Sequence, residues 1–122
     1  MMLRALGLAI ICGAVALCAT GVRAEECQKA GDEEAIAEGR LIEKGDALIL
    51  KLPVPMCLSG SEATDNVPAS TEIHVYSSDD GVDGALRAMV GKDVHLRGSL
   101  MGAATKHHKA PIVMQVSEAD EI

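Results

Sequence analysis

A chain of 122 residues with 11 Lys and Arg against 18 Asp and Glu carries a net charge of −7, and Tyr76 is its sole Phe, Tyr or Trp. Single-strand nucleic-acid binding needs a positive groove and stacking rings, and a phosphate backbone is repelled by net negative charge; that class is excluded. The length holds one small domain with an aliphatic core of Leu, Ile, Val and Met.

The chain opens on Arg4, an uncharged run from Ala5 to Val22, and Val22-Arg23-Ala24. A basic start, an apolar middle and a small-residue site are the layout of a secretory signal, removed after Ala24. The rival is a membrane anchor, since the run reaches the lower limit for a spanning helix; the acidic, turn-like sequence after Ala24 favours cleavage, with no stable membrane insertion afterwards. A lipid anchor is disfavoured because Ile11 and Leu17 precede Cys12 and Cys18, where a small residue is needed. The expected location is therefore periplasmic or secreted. Loss of Arg4 and Arg23 takes the net charge from −7 to −9. Cys27 and Cys57 remain, and in an oxidising compartment an even pair joins as a disulfide. A redox or metal-binding pair would call for the closer Cys-x-x-Cys spacing.

Residues 25–38 are acidic and expected to be irregular or one helical turn, with the β domain running from 39 to 122. Gly39–Ile42 and Ala47–Leu52 read as strands across the turn Lys44-Gly45-Asp46. Pro53 and Pro55 are expected to end the regular pairing, and Ser59–Ser70 to form a mobile loop. Thr71–Tyr76 alternates, with Ile73 and Val75 on one side and Glu72, His74 and Tyr76 on the other. Asp79, Asp80 and Asp83 suit the start of a short helix carrying Val82, Leu86, Met89 and Val90, with Gly91 at its C-cap; calcium-loop spacing is absent. Val94, Leu96, Gly98 and Leu100 alternate with His95, Arg97 and Ser99, and a last strand carries Ile112, Met114 and Val116. Leu41, Leu50, Ile73, Val75, Leu86, Val94, Leu96, Ile112 and Met114 are the predicted core.

This order predicts a mainly β fold, a small five-stranded OB-like barrel (β-β-β-α-β-β) with one short helix. An open antiparallel sheet with the helix packed across it is the alternative. Gly39 and Gly98, inside strands, favour closure because small barrels need tight bends.

Gly39-Arg-Leu, Leu50-Lys-Leu-Pro with Cys57, Leu96-Arg-Gly-Ser-Leu and Ala104-Thr-Lys-His-His-Lys-Ala-Pro resemble a family of small exported bacterial domains of unknown function, with a late Gly-x-Leu followed by Thr-x-His-His. The resemblance covers most of Gly39–Val116. It implies a secreted OB-like barrel, sometimes found beside lysozyme-inhibitor-like domains, and transfers no catalytic residue. The aromatic, proline-rich segment that follows the first strand in the family is replaced here by Lys44-Gly45-Asp46.

No Gly-x-Ser-x-Gly elbow is present and both cysteines are expected to be bonded, so the chain does not read as an enzyme. The expected function is a non-enzymatic binding module for an envelope protein, steered by charge toward a basic one. Its binding loop lies between the last two strands, at Thr105, Lys106, His107, His108 and Lys109, where a rigid scaffold holds a variable segment. No cofactor is required. The alternative is a Zn or Cu site using His107, His108 and His95, since imidazole suits both metals; adjacent histidines in an extended segment point opposite ways, and the His-x-x-x-His spacing is absent. In the structural reading of the same pair, a ring hydrogen-bonds the backbone and fixes the loop. A small envelope enzyme is the second alternative.

Overall fold

The computed structural model of the protein describes residues Glu26–Ile122. The expected leader and cleavage site lie outside the described residues. Within them the chain runs β1 (Gln28–Lys29), β2 (Ala35–Lys44), β3 (Ala47–Ser59), a 3-10 turn (Ala63–Asp65), β4 (Val67–Tyr76), α1 (Asp80–Ala88), β5 (Asp93–Gly102) and β6 (Ile112–Glu121). No helix among these residues is long and apolar enough to cross a membrane.

Five strands close into a ring. β3 pairs with β2, β2 with β5, β5 with β6, β6 with β4, and β4 returns to β3. All these pairings are antiparallel except β4–β6, which is parallel. A parallel pair cannot be joined by a tight hairpin, and α1 and β5 lie in the connection. The open-sheet alternative is thereby set aside: a ring has no free outer pair of strands.

Closure depends on close backbone approach at two glycines. A Cβ on Gly39 would collide with the carbonyl of Lys51, and one on Gly98 with the carbonyl of Gln115. At Gly98 the β5–β6 register slips, Arg97 facing Glu118 while Gly98 faces Val116. Such a bulge bends a strand and sharpens its twist. The extra residue, Ser117, donates its hydroxyl to the carbonyl of Arg97 at 3.1 Å.

Inside the ring, every predicted core residue is buried in one cluster, joined by Ala35, Ala37, Leu48, Leu58, Leu100 and Val116. α1 starts where Asp79 accepts from the Val82 N–H at 3.0 Å, and it drives Leu86 into that core. A second, smaller cluster of Ala47, Ile49 and Ala110, with Ile42 beside it, lies apart from the first. Ala47–Leu50 is accordingly buried without alternation, as a strand covered on both faces must be.

Three expectations are corrected. β2 begins at Ala35, because Ala35 and Ala37 alternate inward with Ile36 and Glu38 outward; the acids of 33–38 hide a period of two. The segment Ser59–Ser70 is folded. Asn66 accepts from the Gly60 N–H at 3.2 Å and donates to the Glu62 carbonyl at 3.2 Å, and Asp65 accepts from the Gly102 N–H at 2.8 Å. β6 continues past Val116 to Glu121, pairing with Val94–Arg97. The prolines behave as expected in pairing terms, since ladder contacts stop at Lys51 and resume only at Met56. Cys27 and Cys57 form a disulfide across a separation of 30 residues, worth about 3.6 kcal/mol by chain entropy, and beside it β1 pairs with the end of β3.

Leu96 is fully buried, so Leu96→Ala is expected to cost about 2–5 kcal/mol. Lys51 meets Glu72 at 3.0 Å with half its side chain in solvent, so Lys51→Ala is expected to cost less than about 1 kcal/mol. Chemical denaturation of both variants checks the strand faces, and equal losses would contradict them.

Candidate functional site

The histidine loop, 103–111, folds back over the outside of the ring. Ala110 packs on Ile49, whose β4 neighbour is His74, and His74 in turn pairs with Val113 of β6. The loop therefore covers the outward-facing Ile49, while Val113, across His74 on β6, is also fully buried.

Two imidazoles staple it. The Ala104 N–H donates to His108 Nδ1 at 3.1 Å, and the Lys109 N–H donates to His74 Nδ1 at 3.1 Å. The two rings meet edge to face, 5.8 Å between centroids. A backbone N–H can only donate, so both Nδ1 atoms are acceptors and both rings carry their proton on Nε2. Thr105 organises the tip, its hydroxyl accepting from the His107 N–H at 3.2 Å and its carbonyl from the His108 N–H at 3.1 Å. Thr105, Lys106, His107 and Lys109 are exposed; His108 is half-buried.

Of the site residues expected from the sequence, His108 accepts a backbone hydrogen bond and packs against His74, which the sequence did not single out for this role. His95 is not brought to the loop. It lies opposite Glu38 of β2 and Asp120 of β6, with Nδ1 2.6 Å from Glu38 Oε2. The set His95, His107 and His108 does not assemble, and no group of three or more His, Cys, Asp or Glu among the described residues converges in a way that could hold a metal ion.

A second feature was not anticipated. β2 pairs with β3 only as far as Arg40 opposite Lys51; from Gly39 back to Ala35 it pairs with β5 alone. Beyond Lys51, β3 runs on as Leu52-Pro53-Val54-Pro55 without a ladder partner. The two strands diverge and leave a groove of about 450 Å³, with Ile36 and Glu38 on one wall, Leu52–Cys57 on the other and Glu26 at its end. A neighbouring depression shares Pro55 and Ala69 with it and reaches Pro111, so the track continues to the foot of the histidine loop.

Charge is distributed unevenly around these features. Among the described residues every arginine, and Lys44, Lys51 and Lys92, is held by one of the domain's own carboxylates. The cations left are Lys29, Lys106 and Lys109, two of them in the histidine loop. Among the described residues Glu26, Glu33 and Glu34 make no ion pair; Glu26 lines the groove, and all three line a depression beside it together with Lys29.

Residues 72–120 match a domain of unknown function (DUF4431). The match takes in β4 from Glu72, α1, β5, the histidine loop and most of β6, and leaves both walls of the groove outside it. No curated protein matches the chain in sequence.

Burial pushes the pKa of His74 down, and His108 and Lys109 beside it push the same way. A histidine whose folded pKa is depressed is held neutral by the fold. Its stabilisation is fully present above the ordinary histidine range and is lost as pH falls through the lowered value. Stability and the exchange protection of the Lys109 amide are therefore expected to fall together below about pH 6.5, and the Lys109 protection to be absent at every pH in His74→Ala. Glu72, held low by hydrogen bonds from Lys51 and Lys44, adds its own loss only further into acid. NMR titration with amide exchange separates the two windows. In rigorously metal-free buffer, His108→Ala is expected to lose about 1 kcal/mol and His107→Ala less than about 0.5 kcal/mol; the reverse order would contradict the staple.

Proposed function

We propose that the chain is an exported, non-enzymatic binding module built on an OB-like barrel, and that its partner is a cationic protein of the cell envelope. The ring order, with its single parallel pair and the helix between the third and fourth ring strands, fits the OB pattern. The Cys27–Cys57 bond suits an oxidising compartment. The lysozyme-inhibitor-like neighbours implied by the sequence resemblance point to a lysozyme-type basic partner.

The observation that carries the reading is the internal neutralisation of the domain's own cations. Ion pairing occupies all the arginines and half the lysines of the described chain together with the carboxylates of Glu72, Asp83, Asp93, Glu118 and Glu121, so the charges left unpaired are mostly carboxylates, with Lys29, Lys106 and Lys109 against them. Complementary charge steers encounter and suppresses wrong partners. The flank formed by Glu26, Glu33 and Glu34 is better matched to a cationic partner than the loop with Lys106 and Lys109. The loop is the rigid shoulder of the surface.

Calorimetric titration with a basic lysozyme-type protein tests this. Binding is expected at low salt, to weaken as ionic strength rises, to be unchanged by chelator, and to be reduced in Glu33→Gln, Glu34→Gln. Absence of binding to basic envelope proteins at low salt would overturn the proposal, as would binding abolished by chelator and indifferent to salt.

A further inference from the structure

We propose that the groove between β2 and β3 takes an extended segment of the cationic partner as an added strand along the edge of β2. This rests on the reading above and names how that surface binds. A strand presents alternate N–H and C=O groups to each side, and over Ala35–Gly39 only the β5 side of β2 is paired. The opposite wall cannot supply the missing ladder, because Pro53 and Pro55 have no N–H to give. The gap between the two walls holds about 450 Å³, lined by Ile36–Glu38 on the β2 side and Leu52–Cys57 on the β3 side.

The side chains specify the guest. Ile36 and Val54 are 49% and 69% exposed, and both line the groove. Ile36 and Glu38 are two positions apart on a strand, so they face the same way, and Glu38 is held in place by His95 at 2.6 Å. Glu26 adds a second carboxylate at the groove's end. Main-chain hydrogen bonds supply affinity in strand addition while alternate side chains supply specificity. The matching guest is an extended segment with an apolar residue and a Lys or Arg two positions apart on one face. A second copy of this acidic chain is a poor guest, because like charges would be brought together.

The test uses the chain produced from its full coding sequence and a short synthetic peptide in which Thr alternates with Val and Lys. Calorimetry is run with this peptide, with its Lys→Glu counterpart, and with a form N-methylated on alternate amides. Binding is expected for the first only, and Ile36→Asn, Val54→Asn is expected to weaken it at least about tenfold. Both positions are exposed, so thermal melting should be unaffected in that variant, and Glu26→Gln, Glu38→Gln should give a comparable loss as a second line. Undiminished binding of the N-methylated peptide, or by Ile36→Asn, Val54→Asn, would overturn the strand-addition proposal while the Lys→Glu discrimination still upheld a cationic partner. If the Lys and Glu peptides bind alike, or neither binds, both readings fall. Concentration-dependent dimerisation in sedimentation, lost in Ile36→Asn, Val54→Asn, would also overturn it by giving the groove to a second copy.

Discussion

The structure depends on one strand serving two neighbours. β2 gives Arg40–Lys44 to β3 and Ala35–Arg40 to β5, and the transfer happens at Gly39, where the Lys51 carbonyl occupies the space a side chain would need. Without that transfer the sheet would stay open and the core cluster would have one wet side. With it, a small aliphatic core is enclosed on all sides, which matters in a domain with so few large side chains to bury. The same transfer parts β2 from β3 beyond Lys51, so the groove is the geometric by-product of closing the ring.

Much of the fold was legible because its signals are local. Periods of two in Thr71–Tyr76 and Val94–Leu100, the Asp79 cap and the hairpin at Gly45-Asp46 each declare themselves within a few residues. The core followed from them. The start of β2 was not legible, because Ile36 and Glu38 face outward among neighbouring acids and the inward positions are only alanines. The continuation of β3 was hidden by prolines, which forbid a ladder partner without forbidding an extended chain. The folding of Ser59–Ser70 rests on contacts with a distant strand, such as Asp65 to Gly102, and no sequence window contains both.

The candidate site divided along the same line. Thr105, His108 and Ala110 lie close in sequence, and the structural use of the histidine pair could be weighed from spacing alone. The partner in that arrangement, His74, comes from another strand 34 positions upstream of His108, so only the ring's closure reveals it. One clue was available: Ala47–Leu50 is an unbroken apolar run, and its outward members need a cover, which the histidine loop provides. The groove left no comparable trace, being a consequence of where pairing stops.

The groove flank, and not the tip of the histidine loop, is the surface we propose for a cationic partner. Cross-saturation NMR on the labelled chain, bound to an unlabelled basic envelope protein, tests this most directly, because it reads proximity at each amide without altering a residue. Saturation is predicted at Ile36, Ala37, Glu38, Val54 and Met56, fading toward the loop. Saturation confined to Lys106, His107 and Lys109, with the β2 edge silent, would contradict it.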